Sequence, residues 1–403
     1  MKGRYLIILA SLCGLIASGV GLITNVAGLF FNPIAEELGL LRGAVSMTVT
    51  INNLLFALGG LMSPRFMTEK TLKPGLIIGT AVVAGSTALL SATSSIMIMY
   101  ILNALRGFAS GVLGFVFVTM VINNWFHSNV GLASSIAMAF SGLAGAVFSP
   151  IVSAVIQSNG WRTAYLMTAV MMAVLNLPSI LLLPAIDPAS KGMKPLGEKT
   201  ENKAAETSTG SVLPVVMPML VIMCVYAACG AGSTALTQHF TGIAEERGLA
   251  ASVGATMLSA CMLANTGGKI VLGALVDRIG AKKSLLTYAC LIMCAVLIML
   301  FIPSGTAMYI AAFLFGLTYS MATVGVVSIT KDLFGLANYS RTYPKINLCG
   351  TMFSAAFSSI IGFMYDAFGS YNVPLFIIMA MAAIDFIIIL YVYKTIDARK
   401  KNA

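Results

Sequence analysis

Three positive side chains, Arg106, Lys269 and Lys345, stand inside otherwise apolar stretches long enough to cross a bilayer. A cation at membrane depth costs at least roughly 2.5 to 3.5 kcal/mol, so each marks an ion or substrate pathway. Asn265 precedes Lys269 by one helical turn on the same face, where its amide can donate to the same anion. Tyr319 and Tyr343 fall in the same region of the chain and are candidate walls of an anion cavity. Acids are scarce: of 14 Asp and Glu, only Asp385 lies deep in an apolar stretch, so such a cavity is net positive. Asp385 itself reads as neutral or hydrogen-bonded at a helix contact. Arg106, in Arg-Gly-Phe-Ala-Ser-Gly, suits either a structural or a coupling role, with Gly107 and Gly111 allowing close helix approach. His239, after Gln238 near the end of an apolar segment, is the candidate proton-responsive group on a gate. Pro344 removes an amide bond to Ser340 and predicts a kink beside Lys345, a hinge for gating.

Other chemistries find no support. An intramembrane enzyme needs a nucleophile with a base, an acid pair or a metal set, and neither His has a helix-spaced partner. No GxxxxGK[ST] loop occurs, so uphill movement must be driven by an ion or a counter-substrate. All seven Cys sit in apolar segments without a CxxC pattern, which predicts no metal, no disulfide framework and no cofactor. The net charge of +10 forms no basic stripe of the kind that binds nucleic acid.

The elements that must hold these residues follow from hydropathy. With 58% hydrophobic and 9% charged residues and a mean hydropathy of +0.93, the chain reads as an integral membrane protein. Polar breaks divide it into twelve apolar segments at about 5–31, 43–66, 74–93, 97–124, 130–157, 161–184, 213–241, 250–276, 282–303, 306–331, 339–364 and 371–394. The first, behind Lys2 and Arg4, reads as an uncleaved helix rather than a signal peptide. The stretch Asp187 to Ser211, rich in Pro, Gly, Ser, Lys and Glu, reads as a solvated linker. The predicted organisation is therefore a six-helix bundle over 1–185, a cytoplasmic linker over 186–212, a second bundle over 213–394 and a tail over 395–403. With the N-terminus inside, 18 of 24 Lys and Arg fall on the cytoplasmic side and only Arg42, Arg162 and Arg247 outside, which predicts cytoplasmic termini. The halves echo each other: GGLMSPRF from Gly59 matches GALVDRIG from Gly273, and GWRTAYL from Gly160 matches GSYNVPL from Gly369.

Gly273, Leu275, Asp277, Arg278, Gly280, Lys282 and Lys283 make the sequence similar to the major facilitator superfamily, meeting its G-x-L-x-D-R-x-G-x-K-K signature residue for residue. That resemblance implies twelve helices in two bundles and a latch in which Asp277 and Arg278 pair with opposite charges across the cytoplasmic seam. In the first-half copy, Ser63 and Pro64 replace the acid and the arginine. Four stretches, WFHSNVGLA from Trp125, NTGGKIVLGALVDRIG from Asn265, DLFGLANYSRTYPK from Asp332 and YDAFGSY from Tyr365, resemble the oxalate:formate antiporter and monocarboxylate porter branch. The branch implies carboxylate binding by a basic residue four positions before the signature glycine and by a lysine three segments later. These positions are Lys269 and Lys345 here, with Lys in place of Arg at 269 and Pro344 before the second lysine.

The reading is a secondary carrier for a small organic anion, a mono- or dicarboxylate, coupled to a counter-anion or a proton. It is expected as a monomer in the lipid of a bacterial inner membrane. The rival readings are a drug or neutral-solute exporter, which Gly142, Gly145 and Pro150 weakly resemble, and a non-transporting nutrient sensor.

Overall fold

The computed structural model describes residues 2–127, 130–197 and 217–402. Eleven helical runs among them are long and apolar enough to cross a membrane. The longest, Leu132–Leu182, holds 51 residues and is broken at Gly160, where φ is 80° and ψ 164°. Large apolar side chains point outward, with Leu61 80% and Ile270 74% exposed, as expected where the surrounding solvent is hydrocarbon. The chain divides into two compact units, Met1–Glu201 and Asn202–Ala403.

In unit 1, α1 (Lys2–Ile16) runs through a π-helical turn, Ala17–Asn25, and a 3-10 turn, Ala27–Phe30, into α2 (Phe31–Leu38). Then come α3 (Arg42–Phe66), α4 (Leu72–Leu90), α5 (Ile96–Val112), α6 (Phe115–Trp125) and α7 (Val130–Leu182). The apolar segment expected over 97–124 is thus two helices, parted at Leu113 and Gly114. The predicted close approach at Gly107 and Gly111 is present. A Cβ on Gly107 would lie 2.3 Å from the Asn52 carbonyl oxygen, and one on Gly111 2.1 Å from that of Phe56, so α3 and α5 meet backbone to backbone.

The first part of the expected solvated linker belongs to this unit. The Glu69 carboxylate accepts from the Ile186 and Asp187 amides. Leu196 donates to the Trp125 carbonyl at 2.8 Å and accepts from the His127 amide at 2.9 Å. The Tyr5 hydroxyl donates to the Lys194 carbonyl, and Pro188 is buried. Composition indicates a polar loop, yet backbone groups of Ile186, Asp187, Lys194 and Leu196 find partners on Glu69, on Tyr5 of α1 and at the end of α6. The remaining linker positions, 198–211, lie outside the described residues.

Unit 2 repeats the plan. α8 (Met217–Ser233) passes through a 3-10 turn, Thr234–His239, into α9 (Phe240–Glu246). It is followed by α10 (Ala251–Ile279), α11 (Ala281–Phe301), α12 (Gly305–Thr318), a π-helical turn at Met321–Gly325, α13 (Val326–Phe368) and α14 (Asn372–Asn402). The break within α13 falls at Gly335 (φ 71°, ψ 165°), between the expected segments 306–331 and 339–364, and helical dihedrals continue through Pro344. α14 also carries the expected tail positions 395–402 as helix, with Lys282 and Asp397 3.8 Å apart at its end. The α3/α5 contact has its counterpart in α10/α12, where a Cβ on Gly316 would lie 2.2 Å from the Cys261 carbonyl oxygen.

This packing gives a paired test. Gly107→Val drives a branched side chain into the α3 backbone and should destabilise unit 1 by about 1–3 kcal/mol. Gly85→Ala, in α4 where a Cβ meets nothing within 4 Å, should stabilise by up to about 1 kcal/mol. Thermal unfolding of the purified variants checks both; equal midpoints would show that the α3/α5 contact is not tight.

Candidate substrate-binding site

Both candidate lysines belong to unit 2. Lys269 is half-buried on α10, and the stretch from it to the helix end at Ile279 is about 15 Å long. Lys345 is exposed on the surface of unit 2, about 15 Å of helix beyond the Gly335 break. These lengths follow because α10 continues to Ile279 and α13 resumes directly after Gly335. α10 packs on α12 and α9, α13 packs on α8, and both touch the π-helical turn Met321–Gly325. Among the described residues neither lysine has an ion pair. Asn265, buried one turn before Lys269, has a side-chain oxygen without a hydrogen-bond partner. Its amide can present either oxygen or NH2 by a flip, so it can serve a bound carboxylate as donor.

Tyr319 sits where α12 ends and the π-helical turn begins. Its hydroxyl donates to the Thr234 carbonyl at 2.9 Å and lies 2.8 Å from the Thr237 hydroxyl. It thereby ties the broken part of one span to the 3-10 turn of another, whose exposed backbone groups need such partners. Tyr343 stacks on Tyr339 with ring centroids 5.0 Å apart, leaving its hydroxyl end clear of that contact. Pro344 is exposed beside Lys345.

At the other end of α10, Gly280 adopts φ 84° and ψ 153°, a positive-φ conformation that glycine takes at no steric cost. A Cβ on Gly273 would meet nothing within 4 Å. Asp277 and Arg278 are exposed, and neither forms an ion pair among the described residues; the pair found at this end is Lys282 with Asp397.

The remaining charged candidates are interior. Arg106 on α5 is 4% exposed and donates to the Asn103 side chain one turn earlier, while its Nε has no partner. His239 is 2% exposed, with Nε2 2.9 Å from the Ser358 carbonyl oxygen and Nδ1 3.5 Å from the Tyr371 hydroxyl. The nearby Glu246 carboxylate accepts from Ser370 and from the Tyr371 amide, so this end of α9 is fastened to the α13–α14 turn. Asp385 on α14 is fully buried, and neither of its oxygens has a hydrogen-bond partner among the described residues.

A further polar group lies in unit 1. Thr24 and Asn25, in the π-helical turn, face Asn53 and Ser141: the Thr24 hydroxyl is 3.5 Å from Asn53 Oδ1, and Asn25 donates to the Ser141 carbonyl at 2.9 Å. Asn52 is buried with its Oδ1 unpartnered. A search for charges passes over these residues. The available signal is two adjacent polar pairs, Thr24-Asn25 and Asn52-Asn53, inside apolar segments.

Comparison with known proteins follows this geometry. A family model described as Major Facilitator Superfamily matches residues 11–286 and 222–403. The oxalate:formate antiporter of Oxalobacter formigenes is 26% identical over 322 residues, 78% of this chain and 74% of that protein. An uncharacterised protein of Archaeoglobus fulgidus is 29% identical over 173 residues, 42% of this chain and 78% of that one. Crystal structures of the nucleoside transporter NupG and of a point mutant of it superpose with TM-scores of 0.71 and 0.70 at 11% identity. They cover 98% and 96% of this chain and all of theirs, a likeness of fold.

The anchoring of His239 yields an ordered prediction. Glutamine at 239 keeps a donor for the Ser358 carbonyl, and alanine keeps nothing, so unfolding temperature should fall from the parent through His239→Gln to His239→Ala. Each lost hydrogen bond should cost about 1 kcal/mol. If His239→Gln instead keeps full stability and flattens the pH dependence of uptake, the ring is a titrating gate rather than a tether.

Proposed function

Because this chain belongs to the major facilitator superfamily, we propose that it is a secondary carrier exchanging small carboxylates across a cell membrane, in a bacterium the inner one. The observation that carries the reading is the pair Lys269 and Lys345, two cations at membrane depth with no acid paired to either among the described residues. The antiporter relative is named for two carboxylates, which supports the same substrate class. The break at Gly160 in the long run supports a reading of twelve spans, and the positive-inside bias supports cytoplasmic termini. The two units then act as the rocking halves of an alternating-access cycle.

Electrostatics favours exchange. An empty carrier must turn over with two uncompensated ammonium groups in a low-dielectric site, whereas a dicarboxylate neutralises both at once. A monocarboxylate leaves one charge, which a second anion or a proton must offset. Asn265 supports the bound carboxylate beside Lys269, and Tyr319 and Tyr343 bound the cavity. The Gly335 break gives the second half of α13, which carries Lys345, a pivot.

Counterflow in proteoliposomes across a panel of mono- and dicarboxylates tests the function directly. Lys269→Gln and Lys345→Gln should each reduce exchange to background, while Lys269→Arg, which restores the charge in a planar fork, should retain it. A correctly inserted Gln variant that exchanges as well as the parent would sink the assignment of the site.

The latch makes a separate prediction. Among the described residues Asp277 and Arg278 form no ion pair, which leaves them available to pair across the cytoplasmic seam in one state and part in the other. Asp277→Asn should lower the rate of exchange several-fold while leaving substrate affinity within about twofold. Unchanged kinetics at equal expression would count against the latch.

A further inference from the structure

Arg106 does not stand in the part of the molecule that carries the two lysines; its guanidinium is enclosed by the helices of unit 1. It lines a small cavity with Asn103, Thr48, Thr168 and Tyr165, the rest of the wall being apolar side chains such as Leu22 and Phe30. The cavity measures about 10 Å³, room for one particle about the size of a water molecule. We infer that this cavity holds a single compact monovalent anion, a halide ion such as chloride, bound between Arg106 and Tyr165.

The argument rests on counting donors and charge. A guanidinium keeps its proton in proteins, and an uncompensated buried charge costs several kcal/mol. Among the described residues no carboxylate forms an ion pair with Arg106, and Tyr165 lines the same cavity. Asn103 takes up one guanidinium NH2 through its Oδ1 and turns its own NH2 to the Met99 carbonyl. Nε is left without a partner in the interior. Thr48 and Thr168 donate their hydroxyl protons to the Val45 and Ala164 carbonyls and so have none to offer. Tyr165, held by stacking on Phe30 at 4.1 Å, makes no hydrogen bond among the described residues. The cavity therefore presents spare donors from Arg106 and Tyr165 and one uncancelled positive charge. A water molecule would satisfy the donors but not the charge; an anion does both.

The test uses the full-length protein in detergent, with chloride replacing gluconate at constant ionic strength. The unfolding temperature should rise with chloride and saturate. Tyr165→Phe removes one donor to the ion and should weaken the apparent chloride affinity about tenfold, and Arg106→Gln should abolish the dependence. The double variant Lys269→Gln, Lys345→Gln should keep it, which separates this site from the one proposed for substrate. Should Arg106→Gln fail to purify, crystals grown in bromide decide the matter, with an anomalous peak expected within hydrogen-bonding distance of Arg106. No chloride dependence in the parent, unchanged affinity in Tyr165→Phe, loss of the dependence in the double lysine variant, or no bromide at Arg106 would each overturn the inference.

Discussion

In hydrocarbon no water competes for a helix, so helices hold together only by close packing and by the polar groups they can share. Everything else in the two units depends on how closely backbones are allowed to approach. Gly107 and Gly111 bring α5 onto α3, and Gly316 brings α12 onto α10, at distances that admit no Cβ. Once those pairs are fixed, their neighbours can depart from regular helix. The first span of each unit is irregular, over Ala17–Phe30 and over Thr234–His239, and so is the fourth, at Leu113–Gly114 and at Tyr319–Gly325. Each departure frees backbone groups that need partners, and hydroxyls and amides of the same unit are found there: Thr24, Asn25 and Asn53 in one, Thr234, Thr237 and Tyr319 in the other.

The same scarcity of water governs the charges. At the ends of the spans carboxylates find partners readily: Glu37 bonds to Trp161 and Arg162, Glu69 to two amides, and Glu246 to Ser370 and Tyr371. Within the spans the pattern reverses. Among the described residues Arg106, Lys269 and Asp385 each lack an ion pair, and apolar groups in their places would cost the fold less.

The sequence discloses helices wherever periodicity and length settle the matter. The expected segment 43–66 is α3 to within a residue, and the signature glycine at 280 takes a positive φ at the end of α10. Breaks inside apolar runs are not legible. The parting at Leu113 and Gly114 falls inside the expected segment 97–124, and with 38 glycines in the chain a glycine alone does not announce which conformation it takes; the break at Gly335, by contrast, falls between two expected segments. The beginning of the linker escapes for another reason. Its composition is that of a solvated loop, and only the positions of Glu69, Tyr5 and Trp125 in three dimensions show that 186–197 has partners. For the site, residue type alone singles out Lys269 and Lys345, whereas the uncharged amides of Asn25, Asn52 and Asn53 give too faint a signal beside them.

The absence of acids beside the two lysines has an electrical consequence. Moving one elementary charge through the full membrane potential is worth about 2.3 kcal/mol per 100 mV. A site carrying two positive charges and closed over a doubly negative solute moves almost no net charge, so voltage hardly acts on the loaded step. If the exchange proposed above holds, the empty step carries both ammonium groups through part of the field. An inside-negative voltage then opposes the outward step of the vacant carrier and assists the inward one, while one-for-one traffic goes on untouched by it.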